Sequence, residues 1–305
     1  MAGNRFFGAV ARIAHVALAE CASALRTRRV LVLVMLYVAS AACCMYCTIS
    51  IFRGVEQQVA QSLGMKGESV QTGQIFDTLW RHKDFQAAVK SMVDNDAVYK
   101  DICGRSPVEL VYAWFVFFCA PLLVVMVSGN RIASDVSSGA VRYSIVRCTR
   151  YEWSLGKYAG QAFLLVFALA ASALGAWCVA ACRLPRATLL LPSLLDWGAR
   201  AWLYSVSWLG LALGISHITR SGGKALALGI LAIIAFSAFP GVVGMLAEHN
   251  DSPWLLNLRL LSPSSAKTLL WRRSAAPLAE AAARLVGLGL IFLSAGSAVF
   301  RRRDA

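Results

Sequence analysis

The sequence predicts an all-α, polytopic membrane protein in which six transmembrane helices follow an N-terminal interfacial amphipathic helix. Three observations carry that expectation. Of the 305 residues 58% are hydrophobic and only 15% charged, with a mean hydropathy of +0.60, whereas soluble domains run at about 45–50% apolar and about 25% charged. The apolar residues gather into runs near the ~20-residue length that crosses a bilayer core. Lys and Arg number 30 against 16 acidic residues, a net charge of +14, and they crowd the ends of those runs. Such a distribution orients membrane helices and meets anionic headgroups; no nucleic-acid partner is needed to explain it.

Residues 1–29 form the first unit. Phe6, Val10, Ile13, Ala17, Cys21 and Leu25 recur at three- and four-residue steps, leaving Arg5, Arg12 and Glu20 off the apolar face, the pattern of a helix lying in the interface. Glycines and alanines weaken that pattern, and a basic tail is the competing reading. No small-residue cleavage site follows a short apolar core, so no cleaved signal peptide is expected.

Residues 30–305 supply the six spans. Residues 30–52 carry no charge and at about 1.5 Å per residue can cross a core of about 30 Å. Residues 108–128, 159–182, 201–219 and 225–247 behave similarly, with Glu109 and His217 as the ionisable exceptions. The last apolar run, 285–300, is short, so the helix is extended to 277–300, where Glu280 and Arg284 form an i,i+4 pair. Pro240 and Gly241 are expected to break the fifth span, because proline removes a backbone donor. Gly175, Gly210 and Gly214 mark close helix packing.

Orientation follows from the basic residues nearest the spans. Arg26, Arg28 and Arg29 precede the first; five Lys and Arg lie in 129–158; Arg220 and Lys224 bracket a short turn; Arg301, Arg302 and Arg303 follow the last. Both termini are therefore expected in the cytoplasm. The loop 52–107 balances seven basic residues with seven acidic ones, as an extracytoplasmic segment can. Its apolar residues (Val55, Val59 and Leu63; Ile75, Phe76, Leu79 and Trp80; Val89, Met92 and Val93) fall at helical spacing and predict short amphipathic helices.

Single residues are read as follows. Ser106-Pro107-Val108-Glu109 places Ser at N-cap, Pro at N1 and Glu at N3, a capping box opening the second span. His217 is expected at headgroup level, and Arg284 is expected to snorkel beside Glu280. Cys44 and Cys47 form a C-x-x-C without nearby His or acidic residues, so the nine cysteines read as small hydrophobes; Cys103 lies in a polar loop, with Cys47 or Cys182 as its conceivable bridge partners. Gly222-Gly223-Lys224-Ala225 lacks the first glycine and the magnesium-binding hydroxyl of a nucleotide loop. Neither H-E-x-x-H nor G-x-S-x-G occurs. The chain is not expected to be an enzyme, and no cofactor or metal is expected in it.

The longest cytoplasmic loop and its flanks, residues 125–161, read VMVSGNRIASDVSSGAVRYSIVRCTRYEWSLGKYAGQ. An Ile-Ala-x-acid step, a Ser-Gly, an aliphatic and basic run, an Arg-x-x-Arg and a Gly-Lys opening the next span resemble the type-2 ABC exporter permeases. The matching positions are Ile132, Ala133, Asp135, Gly139, Arg142, Arg147, Arg150, Gly156 and Lys157. The likeness extends to the interfacial helix, the six spans, the large first outer loop and the closing Phe300-Arg301-Arg302-Arg303-Asp304, and is strongest to the branch that includes sodium-efflux permeases and copper-enzyme-maturation permeases. Family members often carry Glu at the place of Asp135, Thr at that of Ala140 and Pro near Cys148. The resemblance implies an integral subunit of the bacterial cytoplasmic membrane that pairs with a second copy or a homologous permease. It also implies a separate ABC ATP-binding subunit, which binds ATP and Mg.

Elementary chemistry gives loop 129–158 a matching role as the ATPase-coupling element. Asp135 near a helix start favours the dipole, Gly139 permits a sharp turn, Arg142, Arg147 and Arg150 offer donors to carboxylates of a partner, and Lys157 can snorkel at the base of the third span. Two other classes stay open: a secondary carrier or channel, which needs charges or broken helices at mid-membrane, and a non-transporting scaffold acting through loop 52–107.

Overall fold

The computed structural model describes residues 2–62, 90, 96–146, 148–184, 187–250 and 252–302. In chain order its α-helices are α1 (Ala2–Arg26), α2 (Arg28–Ser62), α3 (Asp96–Cys103), α4 (Pro107–Ser128), α5 (Arg131–Ser137), α6 (Ala140–Ile145), α7 (Arg150–Arg183), α8 (Leu190–Ile218), α9 (Gly222–His249), α10 (Lys267–Leu270) and α11 (Ala275–Arg301). Short 3-10 turns cover Ala187–Leu189, Pro253–Leu261 and Pro263–Ala266. Among the described residues seven helical stretches are long and apolar enough to cross a membrane, one more than the six-span expectation; the additional one is Phe7–Arg26. The helices outrun the charge-free stretches: α2 continues to Ser62 and α7 begins at Arg150. The expected helices around Ile75 and around Val89 to Val93 lie outside the described residues.

Side-chain contacts fix the bundle's polarity. Between α7 and α8 the pairs Trp202–Ala162 and His217–Ser154 run in opposite order, so these helices are antiparallel. Pairs in α4 and α8 ascend together, from Glu109–Ser193 to Phe117–Tyr204, as do Gly210–Gly289 and Gly214–Gly296 between α8 and α11. Helices α4, α8 and α11 therefore share one direction, and α2, α7 and α9 take the other. One end of the bundle, the loop end, gathers residues 129–149, Arg220, Lys224 and the end of α11. The opposite, cap end gathers α3 and residues 252–274.

Helix α8 is the hub, packed against α4, α7 and α11. Its contact with α11 depends on glycine: a Cβ at Gly210 would collide with the Gly289 carbonyl, and one at Gly296 would lie 2.5 Å from the Gly214 Cα. Both helices dispense with side chains at the crossing, so backbone meets backbone and dispersion replaces the hydrophobic drive that lipid cannot supply. Nearer the cap end Phe117, Trp197, Tyr204 and Trp271 form edge-on and tilted ring pairs at 4.8–6.1 Å.

The expected break at Pro240 is absent: α9 runs through it without interruption. Proline strips the Phe236 carbonyl of its intrahelical donor. The cap restores it, with Ser262 Oγ donating at 2.5 Å and Ser264 Oγ at 3.0 Å. A carbonyl satisfied from a neighbouring segment leaves no reason for the helix to open.

Two further expectations are corrected at the cap end. Ser106 is the N-cap of α4 and Pro107 opens it, but the Ser106 side chain makes no capping bond; the Glu109 carboxylate accepts a hydrogen bond from Ser193 Oγ instead. A partner on α8 outcompetes the local box. Arg284 turns from Glu280 to the cap, donating to the Arg259 carbonyl and Ser265 Oγ, since a buried guanidinium gains more from fixed acceptors than from an exposed Glu. Cys103, Cys47 and Cys182 are free thiols, so neither conceivable bridge is formed.

Candidate functional site: a charged clamp around loop 129–158

The loop between α4 and α7 folds into two short helices, α5 and α6, separated by Gly139. That glycine adopts φ 74°, a left-handed conformation that costs a side-chain-bearing residue roughly 1–2 kcal/mol. Ile132 and Ala133 of α5 are fully buried. The Ala133 amide donates to Ser216 Oγ of α8 at 2.9 Å, so the loop's first helix is tied to the hub by its backbone.

Asp135 and Lys157, both drawn from the sequence pattern, meet directly at 2.6 Å. Neither sits as the sequence suggested. Asp135 lies beyond the first turn of α5, so it answers a side chain rather than the helix dipole. Lys157 does not snorkel to solvent; it is 5% exposed, with its Nζ also 2.6 Å from Glu20 Oε2 and 5.3 Å over the Trp153 ring. Glu20 was assigned to the polar side of α1, yet it is the buried residue. The face of α1 that packs holds Ile13, Val16, Ala17, Glu20 and Ala24, while Val10 and Leu25 of the apolar stripe are exposed.

Around this triad the polar atoms are closed off one by one. Gln161 Nε2 donates to Glu20 Oε1 at 2.7 Å and its Oε1 accepts from Ser128 Oγ at 2.9 Å. Arg131 Nε stands 3.9 Å from Glu20. Two carboxylates and two cations thus balance in a buried layer joining α1, α4, α5 and α7, as burial of charge requires.

Helix α1 reaches this layer because α7 offers it two glycines. A Cβ at Gly156 would lie 2.6 Å from Val16 Cβ, and one at Gly160 would lie 2.7 Å from the Ala17 carbonyl. Gly156 thus has a packing role. One turn toward the loop, Arg12 grips Glu152 through two nitrogens, at 2.6 and 3.0 Å. Glu152 in turn completes a capping box with Thr149. Thr149-Arg150-Tyr151-Glu152 is a T-x-x-E signature, a signal legible in the sequence but not taken up there.

Arg150 Nη1 donates to the Phe300 carbonyl at 3.4 Å, and its guanidinium lies 5.4 Å over the Phe300 ring, so it braces α11 as well as facing outward. His217, expected at headgroup level, is 1% exposed and bonded to Ser154 Oγ and the Leu213 carbonyl, both at 2.8 Å. The backbone of Arg142 belongs to α6; its side chain and all of Arg147 lie outside the described residues.

Two large apolar side chains of the loop stand outward. Tyr143 is 82% and Val146 86% exposed, and with Arg12, His15, Val16, Ala19 and Cys148 they line a groove of about 830 Å³ between α1 and the loop. Burial, then the nearby Glu152, pushes the Cys148 thiol up from its ordinary range, which disfavours the thiolate. Sequence periodicity did not single out Tyr143 and Val146, because a six-residue helix shows no face.

No group of three or more His, Cys, Asp and Glu suited to a metal occurs among the described residues. A family model described as ABC-2 family transporter protein matches residues 14–305. No curated protein matches the chain.

Proposed function

The chain belongs to the ABC-2 family of transporter proteins, and from that premise we propose that it is the permease subunit of an ATP-driven exporter, coupled through loop 129–158 to a separate ATPase. The observation that carries this reading is a loop clamped at both ends and apolar at its tip. Asp135–Lys157 and Ala133–Ser216 tie its first helix to α7 and α8, Thr149 and Glu152 fix its exit, and Tyr143 and Val146 stand free between them. Large apolar side chains exposed together mark a protein-binding patch.

The mechanism follows from those attachments. An ATPase that grips Tyr143 and Val146 more tightly in one nucleotide state shifts the bundle toward the conformation that state fits. Because α5 is bonded to α8 and α7, displacement of the tip moves the spans rather than flexing the loop. Helix α1, fastened to the first turns of α7 by Arg12 and Glu20, lies beside the same groove as the interfacial element. The loop end is then cytoplasmic, in the bacterial inner membrane, with a second copy or homologous permease completing the pathway. The ionic clusters lie at the two ends of the bundle, not at mid-span, which favours ATP coupling over an ion-coupled carrier.

The test is affinity capture of the tagged chain from native membranes in mild detergent and lipid discs, with identification of bound proteins and an ATPase assay. A stoichiometric ATP-binding subunit is expected, lost in Tyr143→Ser/Val146→Ser. Asp135→Ala and Arg150→Ala should reduce transport at normal expression, since Glu20 still pairs Lys157 in the first. Absence of any ATPase across detergents and discs would overturn the reading.

A further inference from the structure

The cap end holds a second concentration of charge that the coupling role does not use. Arg105 lies between α3 and α4, Arg200 in α8, Arg272 and Arg273 just after α10, and Lys267 within it. Asp196 Oδ2 is shared by Arg200 at 2.9 Å and Arg105 at 3.5 Å, and Asp101 Oδ2 by Arg272 Nε at 3.1 Å and the Arg273 amide at 3.2 Å. Glu109 is engaged by Ser193. Among the described residues of this cluster, five cations stand against three carboxylates.

The five are not equally satisfied. Arg200 Nη1 donates to the Leu270 and Arg272 carbonyls at 2.7 and 2.6 Å. Lys267 rests 5.9 Å over the Phe117 ring, and burial lowers its pKa. Arg105 is the outlier. Its side chain is only 7% exposed, it lies 4.3 Å over the Trp197 ring, its Nε is covered without an acceptor, and among the described residues its hydrogen-bond partner is Asp196, at 3.5 Å. Burial, then Arg200, works against its charge, and Arg273 adds to that. The Arg273 guanidinium is exposed and lies beside Gly104, 3.4 Å from where a Cβ would be. Asp196 is 40% exposed, so the rim of the cluster is open.

A buried guanidinium with spare donors, a second exposed one beside it, and excess positive charge describe half of an ion pair. We propose that Arg105 and Arg273, braced by Arg200, form an anion site at the cap end that takes a phosphate group. Guanidinium forks match phosphate oxygens in pairs, and a single phosphodiester charge would reduce the local excess without inverting it. The same chemistry is offered by an anionic phospholipid headgroup and by free phosphate. The site does not rest on the ATPase reading, since it uses no residue of the loop end.

The experiment compares wild type, Arg105→Gln, Arg273→Gln and, as a control at the opposite end, Arg302→Gln. In lipid discs of zwitterionic lipid, with and without phosphatidylglycerol, native mass spectrometry reads retained lipid. In zwitterionic discs with added inorganic phosphate, the thermal midpoint reads the soluble anion. Binding in at least one arm is expected, weakened about tenfold by either cap-end variant and unchanged in Arg302→Gln; the arm that responds identifies the source. Equal binding by wild type and Arg273→Gln, an exposed position whose replacement leaves the core intact, would overturn the site even if Arg105→Gln fails to fold. So would the absence of binding in both arms.

Discussion

The two ends of the bundle solve the burial of charge differently. At the loop end Glu20, Lys157 and Asp135 neutralise one another through side chains, and each belongs to a different helix. At the cap end Arg200 is held by two backbone carbonyls and a single carboxylate, and the Phe236 carbonyl by two serine hydroxyls. Side-chain ion pairs can exchange partners when helices shift. Bonds to backbone carbonyls tie a side chain to one fixed point of another segment. On the coupling proposed above, the loop end moves as joined elements while the cap end stays closed.

The sharpest way to break this comparison is Lys157→Met, which takes the cation from buried Glu20 and from half-buried Asp135; removing one partner of a buried pair costs about 3–5 kcal/mol. A large fall in the thermal midpoint is expected. Neutralising the layer together, with Glu20→Gln, Asp135→Asn and Lys157→Met, should recover much of it. If the triple variant melts as low as the single, ion pairing is not what holds this end.

Arg200→Lys keeps the charge but removes the fork that spans two carbonyls, a loss of about 1.5–3 kcal/mol. Faster hydrogen exchange is expected across residues 252–274, with residues 129–158 unchanged. Acceleration at both ends would mean that they are not separate units.

Ser262→Ala with Ser264→Ala leaves the Phe236 carbonyl without a donor, at a cost of about 1–3 kcal/mol. Exchange should quicken in α9 beyond Phe236, and either single variant should change little because one hydroxyl remains. The smallest stability effect belongs to Tyr143→Ser, within about 0.5 kcal/mol, because its side chain is free; the same variant should nevertheless lose captured ATPase.

The sequence singled out positions in the loop but not their partners. Asp135, Gly139 and Lys157 stand out because acid, glycine and base types are rare in so apolar a chain, and a pattern of rare residues survives without neighbours. Glu20 was misplaced for the converse reason: in an alanine-rich helix several faces score alike, and only the glycines of α7 select the one that packs. Glu109 and Pro240 were misread because local rules assume local partners, whereas Ser193, Ser262 and Ser264 come from remote segments.

By itself the sequence determined that this is an all-helical membrane protein, where apolar runs begin and end, and which loop carries the family pattern; hydropathy and charge act along the chain, so they can be read from it. The tertiary structure alone decided that Lys157 is buried between two acids, that α9 stays whole through proline, and that Tyr143 and Val146 face outward. Each depends on which helix faces which. That choice is made by close backbone approach and by the pairing of buried charges such as Lys157 with Glu20, neither of which is visible until the segments meet.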